Sequence, residues 1–254
     1  MKRTLELVLP GLSVVLFVAV WQIYVEWNDI APIYLPAPSA IAQALVEMAQ
    51  DGSLFVHVGA TLLRIFSGFL LAAVFGILLG LVMGMSRLAA RIADPWIAAL
   101  YPLPKISLIP LLIIWMGTGE GYKILISAIS AFFPIVMSTY AGVRQVEPGL
   151  LKAAQDLGAS RRQIQTKVVI PGAIPSIFSG LQLGMGVTII LIVAAEMIGG
   201  SSRTGMGYLL VHAGQVLETE KVFAALVVLA IMGAVIIKGQ QWLDRVLAPW
   251  ADLN

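Results

Sequence analysis

The chain has 254 residues, of which 59% are hydrophobic and 12% charged, and its formal net charge is +2. Globular proteins carry about 45–50% apolar and about 25% charged residues, so a water-soluble domain of this length has too little polar surface to cover so much apolar material, and a bilayer is the expected solvent. This excludes a cytosolic enzyme, a disordered chain and a nucleic-acid binder, and the absence of cysteine excludes disulfides, thiol nucleophiles and thiolate metal sites.

A membrane-spanning helix needs about 20 mostly apolar residues. The first such run, residues 7–26, follows Lys2 and Arg3 as a secretory signal would. It is long for a signal core and no small-residue cleavage site follows, so it reads as a retained helix. The connection after it is rich in proline (Pro32, Pro36, Pro38). Ser39 is placed to cap a short helix through Met48 with Ile41, Ala44, Leu45 and Met48 on one face. That helix either lies in the membrane interface or packs as a loop helix. The second span, 64–86, carries Gly76, Gly80 and Gly84 at four-residue spacing, which allows close helix packing.

The third span, 94–116, is broken by Pro102, Pro104 and Pro110 and holds Lys105 within it. The fourth covers 123–143. The loop that follows reads as two short helices. Pro148 suits a first helical position, and Gly158 suits the residue just beyond a helix end. Ser160 with Gln163 then forms a capping-box pattern for a helix ending before Pro171. Leu150, Ala153, Ala154 and Leu157 form an apolar stripe on the first of these helices, and that stripe packs either on the chain's own spans or into a partner's groove. Arg161, Arg162 and Lys167 are placed to meet anionic lipid.

The fifth span, 173–199, follows Pro171 and contains Pro175, with Ser176, Gly180 and Gly184 again at four-residue spacing. Within 201–215, Gly205 and Gly207 precede Tyr208, Leu209, Val211 and His212 at helical spacing, which predicts a short helix. The sixth span, 221–241, is flanked by Lys221 and Lys238, whose side chains can snorkel to the interfaces. His57 and His212 are far apart in sequence and make no ligand pair. The expectation is an all-α polytopic membrane protein of six helices, a single transmembrane domain over residues 1–254.

Six spans put both ends on one side. That side collects eleven Lys and Arg residues against four on the other, with Lys105 left in the membrane. The positive-inside rule makes the richer side, with both termini and the loop 144–167, cytoplasmic. An ionisable residue within a span marks a functional site by default. Lys105, Glu196 and Arg64, with the polar Gln182 and Thr188, are therefore candidates for lining a translocation pathway. A structural ion pair of Glu196 with Lys105 or Arg64 is the competing reading, and for Arg64 the preferred one.

Ala153-Ala154, three residues, Gly158, nine residues and Val168-Val169-Ile170-Pro171 resemble the signature of the inner-membrane permease subunits of ATP-binding-cassette importers. Lys152 stands where that signature has Glu. The stretches Leu35-Pro36-Ala37-Pro38, Pro102-Leu103-Pro104-Lys105, Pro110 to Glu120, Ala194-Ala195-Glu196 and Gly205-Met206-Gly207-Tyr208 are similar to the subfamily importing sulfonates, taurine, nitrate and bicarbonate, whose relatives also carry pyrimidine precursors, riboflavin or aromatic acids.

The resemblance implies a bacterial inner-membrane homodimer that forms a pathway for a small oxyanion. It also implies two cytoplasmic ATPase subunits, which carry ATP and Mg, and an external solute-binding protein. Leu150, Lys152, Ala153, Ala154, Leu157, Gly158 and Pro171 would then belong to the ATPase-coupling segment. Gly205, Gly207 and Tyr208 would belong to an outer gate near the binding protein. The chain has no Gly-x-x-x-x-Gly-Lys-Ser/Thr phosphate loop, so it is expected to be no enzyme by itself, to bind no cofactor or metal and to recognise no nucleic acid. The rival readings are an autonomous six-span secondary transporter or channel, in which the apolar stripe packs internally, and a membrane scaffold, which has no use for Lys105 at mid-bilayer.

Overall fold

The computed structural model describes residues 2–198 and 202–249, and these contain helices and connections but no strands. In chain order the helices are α1 (Lys2–Trp27), α2 (Pro38–Gln50), α3 (Ser53–Met85), α4 (Arg87–Leu100), α5 (Ile109–Met116), α6 (Glu120–Gln145), α7 (Pro148–Asp156), α8 (Arg161–Ile164), α9 (Ile170–Ile198), α10 (Met206–Gln215) and α11 (Thr219–Leu247). Four helices are long and apolar enough to cross a bilayer: α3, α6, the continuous helix Arg161–Ile198, and α11. α1 contributes a shorter apolar stretch, Gly11–Trp27. The expected third span is a broken pair, Arg87–Leu100 and Lys105–Met116, bent by 87°. Pro102 and Pro104 explain the break, since neither can donate a helical hydrogen bond and each disfavours helix in the residue before it.

The described residues fall into two compact units, one of residues up to 60 with 204–231 and the other of 61–203 with 232 onward. The boundaries lie within α3 and α11.

In the second unit, glycines set the helix spacing. Gly68, Gly76, Gly80 and Gly84 on α3 lie against Ser127, Ile135, Thr139 and Val143 on α6. The four pairs keep a constant offset in sequence, so α3 and α6 run parallel. On the other side of α6 the order reverses: Gly142 meets Ser176, Ser138 meets Gly180, and Ala131 meets Gly184, so α6 and α9 are antiparallel. Lipid supplies no hydrophobic drive between helices, and small residues let backbones approach and gain dispersion contacts instead. The large apolar side chains that a soluble protein would bury point outward here, among them Phe75, Leu183 and Ile190.

Helix boundaries differ from the expected spans: α3 begins at Ser53 rather than 64, α11 runs to Leu247 rather than 241, and two more changes surround Pro171. The loop's second helix does not stop before Pro171, and the fifth span does not begin near Ala173. A wide π turn, Gln165–Val169, joins α8 to α9, and the Ile170 N–H reaches back to the Gln165 carbonyl. The widened turn accommodates Pro171, whose ring would otherwise clash with the carbonyl four residues earlier. The predicted capping box does form, with Ser160 Oγ accepting from the Gln163 N–H and the Gln163 side chain accepting from the Ser160 N–H.

In the first unit, α2 is a packed helix rather than one lying free on an interface. Ile41, Ala44 and Met48 are buried together with Met206 and Leu209 of α10 and Ala224 and Ala225 of α11. The N-cap is Ala37, not Ser39. Ser39 lies inside the helix and binds Gln22 of α1, its N–H donating to Gln22 Oε1 and its Oγ accepting from Nε2, both at 3.0 Å. Between α2 and α3, hydrogen bonds from Ser53 hold the Asp51 carboxyl below its usual pKa. The helix expected within 201–215 begins at Met206, and Ser201 lies outside the described residues.

A β-carbon at Gly80 would sit 2.6 Å from Thr139 Cβ, whereas one at Gly59 meets nothing within 4 Å. Gly80→Val should therefore destabilise the purified chain by about 1–3 kcal/mol or more through overpacking, with Gly59→Ala close to neutral. Thermal unfolding in detergent measures the difference, and equal melting temperatures for the two variants would refute close α3–α6 packing.

Candidate functional site

The residues singled out in the sequence form several separate groups. At one end of the α3–α6–α9 bundle lies a polar cluster. Arg64, only 1% exposed, is clamped between two carboxylates. Its Nη1 donates to Glu196 Oε1 at 2.5 Å, and its Nε and Nη2 take both oxygens of Glu120 at 2.5 and 2.8 Å. Thr61 Oγ1 donates to the Glu196 carboxylate at 2.9 Å. Arg64 Nη2 and Lys123 Nζ both donate to Ser202 Oγ, at 3.0 and 2.7 Å. Lys123 is as buried as Arg64 and stands 3.8 Å from Glu120.

Two cations thus meet two carboxylates, and their charges cancel. A charge in the bilayer is costly unless it is paired, and a forked guanidinium can satisfy two carboxylates at once. Of the two ion pairs considered from the sequence, the one that forms is Arg64–Glu196. Glu120, Lys123, Thr61 and Ser202 were not singled out. The i, i+3 pair Glu120–Lys123, at the very start of a span, was the signal available for them.

Lys105 does not reach Glu196. It starts the 3₁₀ turn Lys105–Leu108 at the break after α4. Its Nζ donates to the Tyr101 carbonyl at 2.6 Å and lies 5.0 and 5.2 Å from the ring centroids of Tyr101 and Phe133. Lys105 is the sole charged group lining a cavity of about 560 Å³, whose other walls include Leu71, Phe75, Leu103, Leu125 and Ile129. A cation on a greasy wall, held by a carbonyl and two aromatic faces, can receive a small anion that carries an apolar tail.

The other two polar candidates lie elsewhere on α9. Thr188 is fully buried in the α6–α9 contact, its Oγ1 3.1 Å from Ser130 Oγ. Gln182 is half-buried, and among the described residues no hydrogen bond ties it to the groups above.

At the opposite end of the bundle is the α7 loop. Gly158 has φ +79°, the left-handed conformation that favours glycine at a helix end. Leu151, on the inner side of α7, packs with Val143, Val146 and Val169. The expected stripe faces away from this core: Leu157 is 88% exposed, Leu150 is 54% exposed, and Lys152 and Ala153 are exposed, with Ala154 half-buried. The stripe is therefore not packed on the chain's own spans. Pro171 sits at the start of α9, beyond the π turn.

In the other unit, Gly205 has φ +117° ahead of α10. Its N–H donates to His57 Nδ1 at 3.1 Å. The Tyr208 ring stacks between His57 and His212, with centroid distances of 6.1 and 5.5 Å. Gly207 is buried in the first turn of α10. The two histidines, remote in sequence, thus flank one tyrosine. Among the described residues no group of acidic or histidine side chains is placed to hold a metal.

The sequence profile described as "Binding-protein-dependent transport system inner membrane component" matches residues 72–251. The taurine transport system permease protein TauC of Escherichia coli is 37% identical over 98% of this chain and 91% of its own length. The putative aliphatic sulfonates transport permease protein SsuC of Bacillus subtilis is 34% identical over 92% and 84%. Among solved structures, the MetNI methionine ABC transporter in inward-facing conformations superposes with a TM-score of 0.63 at 20% identity, covering 76% of this chain and 95% of its own. At that identity the likeness shows the fold alone.

Replacing either side of the Arg64–Glu196 pair leaves the buried cluster with one uncancelled charge, which costs up to about 3–5 kcal/mol. Arg64→Met and Glu196→Met should each lower stability by that order, and the double variant should lose less than the sum. A double-mutant cycle on thermal unfolding reads the coupling, and additive losses would remove the pair from its central place.

Proposed function

The chain belongs to the family of binding-protein-dependent transport inner membrane components and is a permease subunit of an ABC importer, embedded in the inner membrane by several helices; from that premise we propose that two copies form a pathway for a small organosulfonate of the taurine or alkanesulfonate class. The observation that carries the solute assignment is Lys105, the one cation on the wall of an otherwise apolar cavity. An alkanesulfonate bears a single permanent negative charge on a short carbon chain, and taurine adds an ammonium at the far end of that chain. Its head group suits the lysine and its carbon chain suits Leu71, Phe75 and Ile129. The names of the relatives agree with this reading.

We infer the remaining assembly from family membership and from the α7 loop. The chain crosses the membrane six times, counting α1 and the bent α4–α5 pair, with both termini in the cytoplasm as the Lys and Arg asymmetry requires. Two ATPase subunits bind ATP and Mg and seat the α7 loops, and an external binding protein delivers the solute. An autonomous transporter would pack the loop's stripe inward, and the exposure of Leu150 and Leu157 favours a partner instead. Lys152, exposed where the signature has Glu, reverses the charge offered to that partner. Gly205, Gly207 and Tyr208 we assign to an outer gate, as the family resemblance implies.

With the ATPase and binding protein reconstituted, Lys105→Ala should lower taurine or ethanesulfonate uptake about tenfold or more, the worth of one charge-assisted contact, while Lys105→Arg retains most of it. Wild-type uptake by Lys105→Ala would reject the solute site. For coupling, Gly158→Val forces a β-branched residue into a left-handed conformation at a cost of about 1 kcal/mol or more, and Ala154→Trp adds bulk to the docking stripe. Both variants should reach the membrane in normal amounts yet lose the co-purifying ATPase. Stoichiometric ATPase in both would show that the loop is not the contact.

A further inference from the structure

Beneath α7, on the side away from its exposed stripe, lies a cavity of about 750 Å³. It opens at the ends of α3 and α6, and its lining includes Arg87, Arg144 and Arg161. No aspartate or glutamate lines it. Among the described residues none of the three arginines is in an ion pair, in contrast to Arg64 at the other end of the same helices. The first helical residues of α4 and α7, Arg87 and Pro148, are also on its wall, so the positive ends of two helix dipoles lie beside it. The rest of the wall is largely apolar, with Met85, Val143, Ile164 and Val169 prominent. Gln165 and Val169 reach it from the π turn, a distortion that recurs at functional sites.

We propose that this cavity binds the headgroup of an anionic phospholipid, with the phosphate held by Arg87, Arg144 and Arg161 behind the α7 loop. Three features select this ligand. Uncompensated guanidiniums on converging elements match a phosphate's oxygens. The apolar wall continues from the ends of spanning helices, where acyl chains begin, and basic pockets of this kind between helices hold anionic headgroups. The exposed side of α7, with Leu150 and Leu157, is left for a protein partner, so the two ligands do not compete for one surface. A bound headgroup ties Arg144 at the end of α6, Arg87 at the start of α4 and Arg161 beyond the loop to one anion, and so fixes the base from which α7 projects.

The test uses the full-length chain purified in zwitterionic detergent, with phosphatidylglycerol as probe, phosphatidylcholine as reference, and native mass spectrometry reading the bound lipid. The triple variant Arg87→Gln, Arg144→Gln, Arg161→Gln should retain phosphatidylglycerol about tenfold less well or worse, each basic residue near an anionic headgroup being worth about 1 kcal/mol. The equally basic triple Arg91→Gln, Arg203→Gln, Arg245→Gln, exposed and outside the cavity, should match the parent within about twofold. Equal loss in both triples would reduce the effect to general surface charge and overturn the site. Retention of lipid by the cavity triple would do the same. Displacement of phosphatidylglycerol by inorganic phosphate alone would reassign the cavity to a free oxyanion. Unchanged lipid binding with loss of the ATPase would reassign it to the protein partner. If the triple does not fold, Arg144→Glu alone carries the test with the same expected loss. Lipid retention is read without any uptake, so the solute assignment stands or falls separately.

Discussion

Arg64 has to be neutralised if α3 is to lie in a membrane at all, and the geometry of the second unit follows from how that is done. A guanidinium 1% exposed needs acceptors along both edges of its fork. Glu196 at the end of α9 takes one nitrogen, and Glu120 at the start of α6 takes two. The three helices are thereby pinned at one end with a fixed order and direction. The polar network is closed by Thr61, Lys123 and Ser202, so every charge in it has an opposite or a hydroxyl within reach. Satisfied in this way, a buried network specifies one arrangement strongly; partly satisfied, it would be worse than an apolar contact.

From that pin the helices need only shape to stay together. Gly68, Gly76, Gly80 and Gly84 carry the parallel α3–α6 contact along its length, and Gly142, Gly180 and Gly184 carry the antiparallel α6–α9 contact. Side chains on the remaining faces are large and apolar because lipid, not water, is their solvent. The division of labour is clear along α6. Its charged first turn faces the pin, its small residues face two neighbours, and its last turn leads into the α7 loop.

The sequence was legible where a pattern depends on neighbours in the chain. The capping box at Ser160, the left-handed Gly158 and the four-residue glycine spacing are all local, and all appear in the structure. The proline rule misled at Pro171. A single proline ends a regular helix, but a π turn can absorb it, and nothing in Gln165–Val169 announces one. Ser39 misled for a similar reason, its hydroxyl being taken by Gln22 of α1, a contact no short window contains. The polar cluster was half visible. Arg64 and Glu196 stood out as charges in apolar runs, whereas Glu120 and Lys123 sat at a span boundary, where charges are ordinary. The stacking of His57, Tyr208 and His212 was invisible, because 155 residues separate the histidines.

The π turn has a mechanical consequence for the proposed coupling between the ATPase and the α7 loop. Had Pro171 ended the loop helix, the α7 loop would be joined to the bundle by a bend, and displacement at the loop would dissipate there. With the turn widened instead, Arg161–Ile198 is one helix of 38 residues. It starts beside the α7 loop and reaches Glu196, bound to Arg64. Leu151 of α7 packs in one cluster with Val146 and Val169, which gives the proposed coupling a route from the loop to this helix. The far end of the same helix is held to α3 by the ion pair, which in the proposed coupling would anchor it. A salt bridge suits that role better than an apolar contact, because its partners and distances are defined while apolar surfaces slide. The one charged cavity wall in between, at Lys105, belongs to the bent α4–α5 connection and not to this helix. On the proposed assignment of Lys105 to the solute, the element that meets the solute is separate from the helix that runs from the α7 loop to Glu196.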